Sequence, residues 1–102
     1  MTMQRDGVDP FNEAAAAWFK GFAEPNRVAI VRHLLSGEHR VTDLVEHLGL
    51  AQSTVSAHVA VLRRAGMLSS QIHGRATYYA LAHPDEVRSL LDLVPRGHDA
   101  SH

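Results

Sequence analysis

The sequence predicts a mainly α domain carrying one small β-hairpin, and three observations predict it. Apolar residues recur at helical spacing in separate stretches from Phe11 to Val94. Two of those stretches are parted only by Gly49, Leu50 and Ala51, room for a tight helix-to-helix turn and little else. Between Met67 and Leu81 the pattern changes to two β-rich runs around His73-Gly74-Arg75, the signature of a hairpin.

Bulk properties narrow the class. A chain of 102 residues makes one domain, able to bury roughly two-thirds of the surface its unfolded form exposes. Hydrophobic content of 45% with 21% charged residues places it among ordinary globular chains and away from disordered ones. A net charge of −1 argues against a protein coated in positive charge but leaves room for a local basic patch. The absence of cysteine excludes disulfides, thiolate metal ligands and thiol redox switches. No apolar run approaches the ~20 residues of a membrane span, and no basic-then-apolar leader is present, so a soluble cytoplasmic protein is expected. Eight histidines are the one compositional oddity.

Residues 1–10 lack periodicity, end in proline and read as a flexible arm. The domain proper is expected over 11–94. Phe11, Ala15, Trp18, Phe19 and Phe22 form the stripe of a first helix, with a large aromatic payload. Gly21 weakens that helix near its end. Pro25 suits the first turn of a second helix, where Glu24 meets the positive end of the dipole. Val28, Val31, Leu34 and Leu35 make its stripe, and Gly37 closes it. A short third helix is expected from an N-cap at Thr42, with Leu44, Val45 and Leu48 inward and Gly49 as its stop. Val55, Val59 and Leu62 are the buried face of a fourth, which Ala65-Gly66 ends. After the hairpin, Pro84 opens a last helix with Val87, Leu90, Leu91 and Val94 as its stripe, and Pro95 ends it. Residues 95–102 form a flexible polar tail.

The fourth helix carries the functional signal. Gln52, Ser53, Thr54, Ser56 and His58 crowd its first turns, away from the apolar stripe. One small polar residue caps a helix, but this many exceed what a cap needs. A helix-turn-helix whose second helix presents small donors and acceptors at its start can meet the edges of DNA bases.

The stretches "EPNRVAIVRHLL", "VTDLVEHLGLAQSTVSAHVAVLRRAGML" and "GRATYYAL" resemble the ArsR/SmtB family of winged helix-turn-helix transcriptional regulators over roughly residues 15–94. The resemblance implies a homodimeric, sequence-specific binder of double-stranded DNA, a repressor in the first instance, released in many members by a metal or other inducer. It carries Gln52, Ser53, Thr54, Ser56 and His58 over as candidate DNA contacts on a recognition helix. Arg63 and Arg64, further along, serve as phosphate contacts or as a solvated face. Arg75 resembles the wing residue that reaches backbone or minor groove, and His73 shares that tip. The family often carries Ser where this chain has Ala51, which opens Ser53 as an alternative helix start.

Inducer sites of the family transfer unevenly. A Cys-x-Cys pair at the start of the third helix is absent, since Arg40 and Thr42 occupy those positions. A second type uses an Asp-x-His pair at the start of the last helix, completed by the other subunit. Here His83, Asp85 and Glu86 can serve from one subunit and His98 and His102 from the other, with inverted order and Pro95 interrupting. Imidazole and carboxylate without sulfur suit nickel or zinc, ahead of cobalt, as effector. No metal is required for the fold. The competing reading is a row of solvated polar residues. His33, beside the Leu34 and Leu35 stripe, reads as a partly buried structural residue, while His39 and His47 flank the third helix and are expected to face solvent.

Trp18, Phe19, Phe22, Leu90, Leu91 and Val94 supply more apolar surface than so small a monomer can hide, so the first and last helices are expected to dimerise. No Ser/His/Asp or paired-carboxylate constellation sits on a plausible cleft, and an enzyme is not expected. The alternative function is a winged-helix interaction module that regulates transcription only through a partner protein.

Overall fold

The computed structural model describes residues 9–96. Its order is α1 (Pro10–Phe22), α2 (Pro25–Leu34), α3 (Val41–Leu48), α4 (Gln52–Arg64), β1 (Leu68–His73), β2 (Ala76–Leu81) and α5 (Pro84–Asp92). The strands pair antiparallel from Leu68 opposite Leu81 to His73 opposite Ala76, leaving Gly74 and Arg75 as the tip. Gly74 turns the chain there at φ 65°, in the left-handed region that suits glycine. A winged helix-turn-helix results.

Local chemistry explains where the helices begin. Asp9, expected in the flexible arm, is instead the N-cap of α1; its carboxylate accepts the Phe11 N–H at 2.8 Å. Pro10 follows as the first helical residue, where its missing N–H costs nothing. Glu24 does the same for α2, accepting the Arg27 N–H at 3.0 Å. The cap of α3 corrects the sequence reading. Thr42 lies inside the helix and Arg40 is the N-cap, because Asp43 reaches back to accept the Arg40 backbone N–H at 3.0 Å. The Arg40 guanidinium also pairs with Asp43 at 3.1 Å. These bonds, side chain first and backbone second, hold the Asp43 carboxyl below the usual carboxylate range. α4 starts at Gln52 behind Ala51, which offers no capping side chain. α5 ends at Asp92, short of the expected stripe, and leaves Leu93 and Val94 exposed.

The core gathers one face each from α2, α3, α4 and α5, with Trp18 and Phe22 of α1 packed against it. Ile30, Val31 and Leu34 of α2 meet Leu44 of α3, Val55, Val59 and Leu62 of α4, and Val87 of α5. Met67, Leu68 and Leu81 close it at the root of the wing. Each such aliphatic side chain contributes roughly 1.5–3 kcal/mol relative to exposure. Gly21 is not merely a weak helix residue. It is buried in the last turn of α1, and a Cβ there would lie 2.6 Å from the Met67 sulfur, so its lack of a side chain lets α1 approach the wing root.

Two polar junctions fix the layers against each other. Arg27 donates from Nε to the Gly21 carbonyl at 3.1 Å and from Nη2 to the Lys20 carbonyl at 3.0 Å, satisfying the C-terminal end of α1. Its Nη1 lies 3.2 Å from His58 Nδ1 on α4. On the other side of the domain, His39 and Tyr79 exchange backbone hydrogen bonds of 2.9 and 2.8 Å, which clasp the α2–α3 connection to β2.

Candidate nucleic-acid interface

Burial of Val55, Val59 and Leu62 dictates which residues α4 shows to solvent. Gln52, Ser53 and Ser56 are exposed, as are Arg63 and Arg64, and Thr54 is half-buried. The two serines and Arg64 thus share the side opposite the stripe, with only small Ala57 and Ala60 between them. Small side chains allow a helix to enter a groove closely. A concave cleft of about 400 Å³ runs beside this face, lined by Ser56, Ala60, Arg63 and Arg64 of α4, Val41 of α3 and Tyr79 of the wing. The Arg63 guanidinium carbon sits 6.0 Å from the centre of the Tyr79 ring, which holds the charge on the cleft wall. Arg63 and Arg64 also lie in the last turn of α4, where a cation complements the helix dipole.

His58 does not join this face. It points to the other side of α4, where its side chain is only 16% exposed and lies 3.6 Å from the Glu24 carboxylate, beside Arg27. Three residues past Val55 on the helix, it follows the buried stripe rather than the serines. At the wing, Arg75 is exposed at the tip as expected. His73 is turned back toward the body, with Nε2 3.3 Å from the Glu38 carboxylate and its ring 5.1 Å from that of Tyr78. The site also includes residues that the sequence reading did not single out. Tyr79 walls the cleft, and Arg40 lies 5.8 Å from the Tyr78 ring centre while paired to Asp43. Alternation along β2 carries the signal for the tyrosines, but the strand register is needed to say which of them faces α4.

The histidines and acids expected to bind metal near α5 do not converge. His83 lies against Trp18, with ring centres 6.1 Å apart, and Asp85 pairs with Arg88 at 3.5 Å. Glu86 joins neither in a shared ligand group among the described residues, and His98 and His102 lie outside those residues. A different group does converge: His33, His39 and His47, whose ligand nitrogens all lie within 4.8 Å of one another. The solvent-facing reading of His39 is therefore corrected, since α2 and α3 pack as neighbours and bring their C-terminal turns to one place.

Of the apolar residues expected at a dimer contact, Phe19 is 60% and Val94 55% exposed, while Trp18, Phe22, Leu90 and Leu91 are half-buried. Phe19, Phe22, Leu90, Leu91 and Val94 line one open cleft of about 530 Å³ between α1 and α5, completed by Val28 and Arg32 of α2. Trp18 packs on the Phe22 ring at 5.9 Å and supports it.

Comparison with known proteins places these features. Residues 24–70 match the family described as bacterial regulatory protein, arsR family. The transcriptional regulator CmtR of Mycobacterium tuberculosis is 38% identical over 81 residues, which are 79% of this chain and 69% of CmtR. The probable mercury resistance operon repressor of Streptomyces lividans is 31% identical over 72 residues, and the match spans 71% of this chain but only 58% of that relative. Among solved structures, a homodimeric winged helix-turn-helix DNA-binding domain from Mycobacterium bovis superposes with a TM-score of 0.82 at 27% identity, covering 100% of this chain and 96% of that one. The NMR structure of CmtR, described as a cadmium metal-sensor, gives a TM-score of 0.66 at 38% identity over 78% of this chain and 82% of its own. These relatives are regulators and repressors, not enzymes. With its helix-turn-helix (α3 and α4) inside the stretch that the family description matches and a relative 38% identical over most of both chains, the chain belongs to the ArsR family of bacterial regulatory proteins.

Proposed function

We propose that the protein is a cytoplasmic homodimer that represses transcription by sequence-specific binding of duplex DNA. The observation that carries the reading is the exposed serine face of α4, flanked by Arg63 and Arg64 and walled by the wing. Gln52, Ser53, Thr54 and Ser56 then meet base edges in the major groove, where Gln pairs bidentately with adenine and Ser or Thr serves bases and phosphates alike. Arg63, Arg64 and Arg75 meet phosphates or, from the wing tip, the minor groove. The apolar cleft between α1 and α5 is covered by the second protomer, which sets the two recognition helices at a fixed spacing.

Fluorescence anisotropy of the purified protein on its own promoter tests this. A dimer neutralising ~6–10 phosphates loses ~10³–10⁵ in affinity between 50 and 200 mM salt. Thr54→Ala and Ser56→Ala weaken the promoter more than random DNA, whereas Arg75→Ala weakens both. Equal losses on both DNAs for the α4 variants contradict base readout. Failure of the protein to bind unaided favours the module that works through a partner.

We infer further that the effector is a divalent metal of the nickel–zinc class. Relatives carry names for mercury and cadmium, ions that favour sulfur. This chain has no cysteine and eight histidines, so imidazole is the donor it can offer.

A further inference from the structure

We propose that His33, His39 and His47 form a metal site contained within one protomer, taking Zn²⁺ or Ni²⁺ through three imidazole nitrogens with water completing the shell. The three residues come from the last turn of α2, the α2–α3 connection and the last turn of α3. Their rings lie 4.6, 5.2 and 5.9 Å apart between centres, so each faces the other two. Tetrahedral Zn²⁺ with nitrogens at ~2.0–2.1 Å spaces them ~3.3 Å apart. The nitrogens already lie within 4.8 Å of one another, and His47 is exposed and can turn inward to close the remainder.

The protonation chemistry favours a ligand. His39 Nδ1 lies 2.8 Å from the Gly37 carbonyl oxygen. A carbonyl only accepts, so Nδ1 carries the proton and the Nε2 lone pair remains for a cation. This is the outer hydrogen bond that orients metal-bound histidines generally. Burial, followed by the neighbouring His47 and His39 rings, lowers the proton affinity of His33 from the ordinary histidine value. Aromatic packing accounts for the contact of the three rings, and the bond from His39 to the Gly37 carbonyl adds a fixed tautomer to it.

Position gives the site a consequence. His39 is clasped to Tyr79 of the wing by two backbone hydrogen bonds, and the preceding Glu38 pairs with His73 near the wing tip. An ion drawing His39 toward α2 and α3 therefore bears on the angle between the wing and the helix-turn-helix. This coupling rests on the DNA-binding reading above; the metal site itself does not.

The test is calorimetric titration of the chelator-treated full chain with ZnCl₂ and NiCl₂, with Co²⁺ as a visible-absorption probe of coordination. One ion per chain is expected, with micromolar or tighter affinity. His39→Gln and His47→Gln each weaken it by about tenfold or more, with circular dichroism confirming that both variants fold. The His83→Ala, Asp85→Ala double variant binds as the parent does. Affinity weaker than about millimolar, unchanged binding in both Gln variants, or loss of binding in the double variant overturns the site. Promoter anisotropy with and without Zn²⁺ then judges the coupling separately. DNA binding that ignores the bound ion overturns the coupling, while no DNA binding in either state overturns the functional reading and leaves the site to be judged by the titration.

Discussion

Replacing Arg27 should cost more than its half-exposed position suggests, because one side chain closes the end of α1 and reaches α4. Arg27→Ala removes two guanidinium hydrogen bonds to carbonyls, at 3.1 Å to Gly21 and 3.0 Å to Lys20, and leaves His58 Nδ1 without its 3.2 Å neighbour. The backbone bond from the Arg27 N–H to Glu24 survives the change. A hydrogen bond to a charged group is worth ~1.5–3 kcal/mol net, and the low end applies to the partly buried Gly21 bond. The exposed Lys20 bond adds about 0.5 kcal/mol, since water replaces it easily. The sum is about 2 kcal/mol, a large part of the ~5–15 kcal/mol that holds a domain folded. In a chain of this size that lowers the melting temperature by roughly 8–16 °C. Urea unfolding at one fixed protein concentration is the assay, because the proposed dimerisation would make apparent stability depend on concentration. Arg27→Lys keeps the charge but has a single donor head, and should recover no more than about half of the loss. A loss below about 0.5 kcal/mol in Arg27→Ala, or full recovery by lysine, refutes the two-carbonyl account.

The other predictions concern the turn, the surface and pH. Gly49 sits at φ 69° with nothing within 4 Å of an added Cβ, so Gly49→Ala should cost only the backbone term of ~1–2 kcal/mol, and Gly49→Asn less, by urea midpoint. Phe19 is exposed on the apolar cleft, so Phe19→Glu should leave the fold intact and yield a monomer in sedimentation; a persistent dimer moves the interface elsewhere. In metal-free protein, His33 faces His39 and His47, and its folded-state affinity for protons lies below that of the unfolded chain. The unfolded state therefore binds more protons as pH falls below ~6.5, and stability declines with acidification until His33 itself protonates in the folded state. His33→Gln should flatten that decline, and an unchanged slope assigns it to other groups.

Helical spacing made most of the fold legible, since Val55, Val59 and Leu62 can share a face only on a helix and Gly74 marks the hairpin tip. Termini were less legible. Thr42 has the chemistry of a cap, but Asp43 could satisfy the chain one turn earlier from Arg40, and only the tertiary course of the α2–α3 connection decides between them. The polar face of α4 could be read from sequence, yet His58 could not be separated from the serines without knowing that Glu24 and Arg27 stand on its side. The histidine triad was illegible for a related reason. Its members sit on two helices and the connection between them, and helical periodicity within α2 or α3 says nothing about which turns of two packed helices meet.

The two polar junctions have unequal claims to carry a signal to DNA. The Arg27 junction ties α1, which lines the proposed dimer cleft, to α4: two of its bonds end on main-chain carbonyls, and its contact with α4 is the His58 imidazole beside Glu24. It holds a single imidazole and, among the described residues, no group of three ligands that could take an ion. The α2–α3 connection differs: its His39 meets His33 of α2 and His47 of α3, the three imidazoles of the proposed site, and its next contacts are Tyr79 and His73 on the wing. An effector shifts an equilibrium only by its differential affinity for two states. Here the two states are the open triad of the structure and a triad closed to bonding distance, and the required shift of the rings is of the order of an ångström. That movement is small enough for a packed domain and sits directly behind the wing. A coupling of ~1–3 kcal/mol, typical of such linked sites, then corresponds to a ~5–150-fold change in operator affinity. The sign follows from which wing position fits the groove: if the open triad is the DNA-bound form, the ion releases the operator, and by reciprocity operator DNA weakens binding of the ion by the same factor.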